Sequence, residues 1–486
     1  MASDRMLIDG EFVAATSGQT SEVLDPASAE VLARVPEADA ADVDRAVRAA
    51  RRAFDQDGWR EVTAQERGRI LFRLAEVVRR ELPRLAELET RNSGKPIVES
   101  EFDLGDVATC FEYYGGLATK LHGEVLNVPD NALSMVLKEP LGVAGQIIPW
   151  NFPLLMAAWK LAPAICAGCT MVIKPAEQTP LSLLELAHFF GECGLPKGVV
   201  NVVTGQGETG AAIVAHPAVD KIAFTGSVEV GKHIMRSAAD TLKKVSLELG
   251  GKSPNIFFAD ADFESAVDGA LFGVFINQGE VCSAGSRVLV QRPIYRKMLD
   301  AMVEKAKRIT LGNGLDRATK MGPLVSKEQL ERVVRYQQIG KGEAKVALGG
   351  GRPGAPELQK GYFVEPTIFY DVDNSATIAR EEIFGPVMAV IPFDDEADAL
   401  RIANDSPFGL AAAVWSRDIF KCLRMVKRLQ AGIVWVNHMQ PTYVEAPWGG
   451  YKMSGIGREL GPWGAEEYLQ VKQVYINLNE APIGWY

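Results

Sequence analysis

One cysteine of the chain lies in a segment that could carry covalent chemistry. Cys282 closes the segment 275–282, which follows a helical pattern and precedes a turn of small residues. A cysteine attacks through its thiolate, which needs partial exposure and surroundings rich in positive charge or hydrogen-bond donors. We therefore take Cys282 as a candidate nucleophile. The alternative is a buried cysteine with no chemical role.

A carboxylate stands at the end of a predicted apolar strand. Glu248 ends this pattern and is followed closely by Gly250 and Gly251. The position is a poor one for a solvated charge, and desolvation would raise the pKa of the carboxyl group toward the range of a general base. The alternative is a glutamate that is paired with a cation at the strand end.

An amide side chain follows another predicted strand. Asn151 lies in the segment 148–153, between two prolines. An asparagine can donate a hydrogen bond to a developing oxyanion without carrying a charge itself. Asparagine and proline also favour turns, so a purely structural role is the alternative. Nucleophile, base and oxyanion donor are together the parts that acyl chemistry needs.

Two series of alternating strands and helices must position these residues. In the first series we predict strands at 143–148, 170–173, 199–203, 221–224 and 244–249, with helices at 182–192, 208–215 and 228–239. In the second we predict strands at 287–291, 387–391, 412–415 and 432–437, with helices at 262–275, 294–308, 396–403 and 418–429. Alternation at this spacing predicts parallel sheets with crossover helices, and hence two α/β domains that meet near residue 250.

The remaining segments carry weaker patterns. Apolar residues at helical spacing predict helices at 39–54 and around 70–78, and Pro83 is expected to kink or split the second. Segment 312–365 is richer in glycine and proline and is expected to be looser. Several glycines fall in the short turns after predicted strands, at the edge where parallel sheets bind ligands.

Composition and charge argue against several classes of protein, among them nucleic-acid-binding and membrane proteins. The chain has 486 residues, 47% of them hydrophobic and 23% charged, and a net charge of −10 without a lysine- or arginine-rich run, which argues against a nucleic-acid partner. No apolar stretch reaches about 18 residues and no signal peptide is visible, so we expect no membrane partner and a cytoplasmic location. Six cysteines do not predict a disulfide framework in a chain of this length, and the five histidines show no metal spacing.

Taken together, the three candidate segments resemble the active-site signatures of the NAD(P)-dependent aldehyde dehydrogenase superfamily. The likeness runs essentially from end to end, and the C-terminal part is most similar to the betaine-aldehyde and aminoaldehyde dehydrogenase branch. Further motifs that carry the resemblance lie at 174–177, 224–227, 382–386 and 447–455.

The resemblance implies an α/β fold: a Rossmann-like parallel-sheet NAD domain, a second α/β catalytic domain and a small β oligomerisation element. The implied NAD-binding domain comprises residues 1–125 and 144–250, and the chain returns to it at 441–466. The catalytic domain comprises 251–440. Residues 126–143 and 467–486 would form the oligomerisation element of a homodimer or homotetramer.

The resemblance also implies a mechanism, the irreversible NAD-dependent oxidation of an aldehyde to its acid. Cys282 attacks the aldehyde, Asn151 and the Cys282 backbone N–H hold the oxyanion, and hydride passes to the nicotinamide. Glu248 then activates water to hydrolyse the thioester. Lys160 and Glu459 resemble a proton relay that serves this base.

The implied cofactor site is Rossmann-like but has no well-placed G-x-G-x-x-G motif. Gly226 and Ser227 open a helix whose positive end would face the pyrophosphate. Lys174 and Glu177 resemble the pair that binds the adenosine ribose, and a carboxylate there favours NAD over NADP because it repels a 2′-phosphate. The alternative for Glu177 is a helix cap. The other residues assigned to the cofactor are Trp150, Gly207, Gly231, Leu249, Glu382 and Phe384.

The branch resemblance implies a small cationic aldehyde, betaine aldehyde or an ω-aminoaldehyde, in a box of aromatic rings that attract an ammonium group. Phe152, Trp159 and Trp448 match box positions, and Tyr443 is a further candidate for the box. Phe152 stands where the branch often has tyrosine, and Ile276 is not aromatic. These aromatics could instead be ordinary core residues. Other open alternatives are aromatic or semialdehyde substrates, a CoA-acylating dehydrogenase, which would need no base at Glu248, and a catalytically silent relative.

Overall fold

The computed structural model describes residues 5–485, so residues 1–4 and 486 of the predicted terminal segments lie outside the described residues. The helices are α1 (Ala40–Asp55), α2 (Ala64–Ser93), α3 (Ile97–Leu117), α4 (Pro153–Ala167), α5 (Leu181–Ala187), α6 (Gly207–Ala215), α7 (Val228–Ala238), α8 (Phe263–Phe275), α9 (Arg292–Ala306), α10 (Lys327–Glu343), α11 (Thr377–Arg380), α12 (Glu396–Asn404), α13 (Ile419–Arg428) and α14 (Gly461–Glu466).

The strands of the N-terminal half are β1 (Met6–Ile8), β2 (Glu11–Val13), β3 (Thr20–Asp25), β4 (Glu30–Pro36), β5 (Glu124–Leu126), β6 (Ala132–Pro140), β7 (Val143–Ile147), β8 (Thr170–Lys174), β9 (Val200–Val202), β10 (Lys221–Thr225) and β11 (Lys244–Glu248). Those of the C-terminal half are β12 (Pro254–Phe257), β13 (Arg287–Gln291), β14 (Lys345–Leu348), β15 (Thr367–Tyr370), β16 (Val387–Phe393), β17 (Phe408–Gly409), β18 (Ala411–Trp415), β19 (Ile433–Val436), β20 (Tyr451–Lys452), β21 (Gly455–Ile456) and β22 (Leu469–Asn477).

The first large sheet has the order β2-β1-β9-β8-β7-β10-β11-β21. Its five central strands, β9, β8, β7, β10 and β11, are parallel, so their carboxyl ends share one edge. The chain builds outward from β7 in one direction through β8 and β9 and in the other through β10 and β11. This reversal between β7 and β10 opens a crevice at the carboxyl edge, where α/β sheets bind ligands.

The second large sheet has the order β14-β15-β16-β13-β12-β18-β19 and is parallel except for the antiparallel pair β14 and β15. Helices α8 and α9 flank β13 in the chain, and α8 begins at Asp262, whose side chain accepts a hydrogen bond from the Ser265 backbone N–H at 3.1 Å. The loop between α8 and β13 carries Cys282. Two parallel sheets with crossover helices confirm the predicted α/β fold class.

A third, separate sheet is antiparallel and exposes apolar side chains. Strands β22, β6 and β5 pair antiparallel, with β22 and β6 in register from Leu469 opposite Pro140 to Asn477 opposite Ala132. Several large apolar side chains of this sheet are exposed, among them Val125 and Val471, each 70% exposed.

The structure differs from the predicted secondary structure in three places. Pro83, predicted to kink or split the second helix, does not split it: α2 runs from Ala64 to Ser93, and apolar side chains on both sides of the proline are buried in one core. The helix predicted at 182–192 ends at Ala187, and turns that lead to Gly194, at φ +86°, replace its second half. Segment 312–365, predicted to be looser, contains the 17-residue helix α10.

Within residues 5–485, no helix combines the length and the apolar character needed to cross a membrane.

Candidate active site

A cavity of about 570 Å³ lies where the carboxyl edge of the first sheet meets the loop that carries Cys282. Its wall brings together most of the residues predicted from the sequence: Trp150, Asn151, Phe152, Trp159, Gly226, Ser227, Glu248, Leu249, Cys282, Glu382, Phe384, Tyr443, Trp448 and Glu459. Five predicted residues are not on this wall, namely Lys160, Lys174, Glu177, Gly207 and Gly231.

Cys282 is the one partly exposed cysteine of the six; the other five are buried. Burial of the sulfur, together with the nearby carboxylates Glu382 and Glu248, raises the pKa of the Cys282 thiol to about 12. The backbone N–H groups of Cys282 and Ser283 lower the pKa of the thiol, because they donate to the sulfur. The thiol is therefore protonated at neutral pH, and its attack requires a base to take the proton.

Glu248 lies at the end of β11 and is 4% exposed. Burial raises the pKa of its carboxyl group well above the usual value, and the negative charge of Glu459 adds to this effect. Its Oε2 has no hydrogen-bond partner among the described residues. A buried carboxylate with a raised pKa and a free oxygen on a cavity wall is suited to accept a proton.

A buried ion pair stands behind this base. Lys160 Nζ lies 2.5 Å from Glu459 Oε1 and donates to Thr225 Oγ1 at 2.7 Å. Lys160 is fully buried within α4, whereas Glu459 also lines the cavity and leaves its Oε2 without a partner in residues 5–485. The opposite charge of Lys160 lowers the pKa of Glu248, so the pair acts on the base through its charges.

The motif at 447–455 packs directly under Glu248. Gly449 has φ +152°, and a Cβ there would lie 2.9 Å from Glu248 Oε1, so a side chain would crowd the carboxylate. The buried Ser454 donates its hydroxyl to the Gly250 carbonyl at 2.7 Å, and its own carbonyl accepts from the Leu249 N–H at 2.9 Å. This motif therefore fixes the main chain directly after the candidate base.

Asn151 follows β7 and is 6% exposed. Its side-chain Nδ2 donates to the Glu280 carbonyl at 2.9 Å, which is the one hydrogen bond of this nitrogen within the described part of the chain. The second N–H of the amide is thus available to a ligand in the cavity. Asn151 and Cys282 share this wall, as an oxyanion site requires.

The cavity continues toward the carboxyl edge of the first sheet, where the residues fit a dinucleotide. Ser227 caps the N-terminus of α7, and Gly226 and Ser227 line the cavity, so the positive end of the helix faces it. Glu382 accepts from the Gly251 N–H at 2.9 Å, and a Cβ on Gly250 would overlap the Glu382 carboxylate. The Trp150 and Phe384 rings meet edge to face at 5.1 Å. This part of the cavity therefore offers a dinucleotide the N-terminus of a helix, a carboxylate and two aromatic rings.

The predicted residues outside the wall lie on the neighbouring strand ends and helices. Lys174 ends β8, and its Nζ lies 3.5 Å from Glu177 Oε2 and 3.1 Å from the Pro175 carbonyl. Gly207 is the first residue of α6. Gly231 lies within α7, where a Cβ would meet the Leu249 side chain at 2.8 Å, so glycine allows the helix to pack closely against the residue that follows β11.

Aromatic rings line the other part of the cavity. Trp159 and Trp448 meet at 5.5 Å with a steep interplanar angle of 65°, and both are buried. Tyr443 is 67% exposed. Phe152 has the Lys95 ammonium 4.2 Å from its ring centroid, so this ring already contacts a cation from the protein.

Two carboxylates of α3 line the cavity and were not predicted from the sequence. Asp103 pairs with Lys95 at 2.6 Å, whereas Asp106 has no cationic partner within residues 5–485. Burial and the charge of Asp103 raise the pKa of Asp106 to about 6. The amphipathic pattern of α3 is weak, so nothing in the sequence marked these two residues as facing a cavity.

Comparisons with known proteins agree with this geometry. The sequence profile of the aldehyde dehydrogenase family matches residues 12–474. A betaine aldehyde dehydrogenase of Bacillus subtilis (strain 168) is 49% identical over 488 residues, covering 100% of this chain and 99% of that protein. Retinal dehydrogenase 2 of Homo sapiens is 47% identical over 98% of this chain and 92% of that protein. A crystal structure of betaine aldehyde dehydrogenase from Staphylococcus aureus in complex with NAD+ is similar with a TM-score of 0.98 and 45% identity, covering 100% of this chain and 97% of that chain. The chain belongs to the aldehyde dehydrogenase family.

Proposed function

We propose that Cys282 is the nucleophile with which this NAD-dependent aldehyde dehydrogenase attacks its substrate. The observation that carries the assignment is that the one partly exposed cysteine shares a cavity wall with a free amide donor, Asn151, and a buried base, Glu248. Glu248 takes the thiol proton as Cys282 Sγ bonds to the carbonyl carbon. The Asn151 amide and the Cys282 backbone N–H stabilise the resulting oxyanion.

The same residues then complete the oxidation. NAD, when bound, accepts the hydride that leaves the substrate carbon. Once it has released the thiol proton, Glu248 accepts a proton from water as the water oxygen attacks the thioester carbon; the C–S bond then breaks, Cys282 leaves as a thiolate and the carboxylic acid forms. Glu459 and Lys160 supply a buried route by which the proton leaves Glu248. A CoA-acylating reaction needs no such base, so the placement of Glu248 favours hydrolysis.

The experiment compares C282A with the matched control C193A, whose cysteine is buried and does not line the cavity. NADH formation from an aldehyde should disappear in C282A and remain within about twofold of wild type in C193A. Activity in C282A would reject the nucleophile, and an absolute requirement for CoA would reject hydrolysis.

We propose NAD rather than NADP as the cofactor because carboxylates surround the predicted ribose site. Glu177 lies beside Lys174, and Glu37 accepts from the Gln206 N–H at 3.2 Å, directly before α6. A 2′-phosphate would meet these negative charges, whereas a 2′-hydroxyl can donate to one of them. E177Q should lower the ratio of kcat/KM for NAD to that for NADP by about tenfold or more, since a tenfold change corresponds to about 1.4 kcal/mol. An unchanged ratio would reject the role of Glu177.

We propose a small cationic aldehyde, betaine aldehyde or an ω-aminoaldehyde, as the substrate. The rings of Trp159, Trp448 and Tyr443 and the carboxylate of Asp106 line one cavity, and both features attract an ammonium group. Phe152 contributes less to this attraction because it already contacts Lys95. The similarity to a retinal dehydrogenase shows that identity alone does not select among aldehydes, so the argument for a cation depends on the cavity.

The substrate experiment measures kcat/KM with NAD for betaine aldehyde, 4-aminobutyraldehyde, benzaldehyde and succinic semialdehyde. The two cations should exceed the others by about tenfold or more. D106N should lower kcat/KM for the cations by about five- to tenfold and leave benzaldehyde unchanged, since only a charged substrate interacts with the carboxylate. A preference for benzaldehyde or succinic semialdehyde would favour the aromatic or semialdehyde alternative.

We also propose that the chain forms a homodimer or homotetramer through the third sheet, within the element 126–143 and 467–486. Exposed apolar side chains on β6 and β22, such as Leu137, Val471 and Tyr475, would be covered by a second copy. Light scattering after size exclusion should give a mass of two or four chains. V471D should shift the protein toward a smaller species.

A further inference from the structure

The segment that leads to Cys282 begins with three consecutive left-handed residues. Asn277 has φ 47° and ψ 42°, Gln278 has φ 54° and ψ 21°, and Gly279 has φ 76°. A left-handed conformation is strained for a residue other than glycine, and asparagine tolerates it best. Such strain persists where surrounding contacts hold it in place, and it is often found at functional sites.

Asn277 is 1% exposed and is held from both its main chain and its side chain. Its backbone N–H donates to Glu99 Oε2 of α3 at 2.9 Å. Its side-chain Nδ2 donates to the Asn151 carbonyl at 2.9 Å and to the Glu280 carbonyl at 3.3 Å. One residue therefore connects α3, through its backbone N–H, with the turn after β7 and the segment that carries the nucleophile, through its side-chain amide.

The Glu280 carbonyl is also the acceptor for the Asn151 side chain. Asn277 thus holds the main chain of Asn151 and, at the same time, the carbonyl that orients the Asn151 amide. A shift of this carbonyl would rotate the amide and redirect its second N–H, which is the one available to the cavity.

We propose that Asn277 is a positioning residue for the oxyanion donor, acting through Asn151 and the Glu280 carbonyl without touching the substrate. The proposal rests on the proposed function, in which the Asn151 amide stabilises the oxyanion. The positive φ explains why asparagine suits this position, and the amide explains why glycine would not replace it fully.

The test uses N277G, because glycine adopts the left-handed conformation without strain and removes only the amide. The value of kcat/KM for aldehyde oxidation should fall by about 10- to 100-fold, the range expected when a catalytic group is displaced by a fraction of an ångström to about 1 Å. The rate at which iodoacetamide alkylates Cys282 should stay within about threefold of wild type, since alkylation develops no oxyanion. N201A, which removes a buried amide outside the cavity, is the matched control and should change neither rate.

A double variant separates this proposal from the function on which it depends. In the N151A background, N277G should lower kcat/KM by less than about twofold, because the group through which it acts is already missing. Equal losses in oxidation and alkylation, or full additivity with N151A, would overturn the positioning role. Wild-type activity in N151A would instead reject the oxyanion role of Asn151. If N277G does not accumulate as folded protein, E99A, which removes the acceptor of the Asn277 N–H, should show the same pattern with a loss of about three- to tenfold.

Discussion

Replacement of Glu459 by glutamine should make Glu248 a stronger acid and shift the pH dependence of turnover to lower pH. Glu248 must be deprotonated to activate water, and its pKa is raised, so kcat rises as pH passes through that pKa in the enzyme complex. The negative charge of Glu459 is the largest cause of the raised pKa after burial itself. Removal of this charge therefore moves the acid limb of the pH profile of kcat to lower pH.

The magnitude follows from the charge balance around the base. Lys160 Nζ is 2.5 Å from Glu459 Oε1, so the two charges largely cancel at Glu248 in the wild type. In E459Q the ammonium remains alone, and an unopposed positive charge within about 4–6 Å lowers a carboxyl pKa by about 1–3 units, or about 1.4–4 kcal/mol. In the double variant K160M/E459Q neither side chain of the pair is charged. Its acid limb should therefore lie within about half a pH unit of the wild-type limb.

The assay is steady-state kcat between about pH 5 and pH 9 at saturating aldehyde and NAD. A burst of NADH in the first turnover shows that thioester hydrolysis limits kcat, so that the profile reports the base used in that step. An acid limb that does not move in E459Q would refute the electrostatic coupling between Glu459 and Glu248. An equal shift in E459Q and K160M/E459Q would show that the effect comes from packing rather than from charge.

Three further predictions concern other parts of the site and the core. G250A should raise KM for NAD by about tenfold, because the new Cβ would displace the Glu382 carboxylate; KM for the aldehyde serves as the internal comparison. The rate of Cys282 alkylation without NAD should rise about tenfold per pH unit up to about pH 10, since the pKa of the thiol is raised to about 12, and a plateau near neutral pH would contradict this. W59F should lower the free energy of unfolding by about 1–3 kcal/mol in urea denaturation, because the buried indole N–H donates to two main-chain carbonyls at 3.0 and 3.1 Å.

Residues at strand ends could be predicted from the sequence, and residues placed by long-range contacts could not. Asn151 and Glu248 follow strands of one parallel sheet, and the carboxyl ends of such strands necessarily meet. Asp106 lies on a helix with little amphipathic contrast, so no periodic pattern marks the face that it presents to the cavity. The contact of Lys95 with Phe152 joins the connection between α2 and α3 to the residue before α4, and it changes the interpretation of an aromatic residue that the resemblance assigns to the substrate.

The returning strand β21 has a consequence for how the protein is made. It pairs with Leu247 and Glu248 at the end of β11, yet it is synthesised roughly 200 residues later, which at ribosomal rates corresponds to about 10–40 s. During that interval the growing chain carries an unpaired strand edge, and such edges promote aggregation. The Lys160–Glu459 pair, whose members are 299 positions apart, forms in the same late stage. A nascent chain therefore acquires the environment of its base only near the end of translation, and chaperones that shield β11 until then should increase the yield of active enzyme.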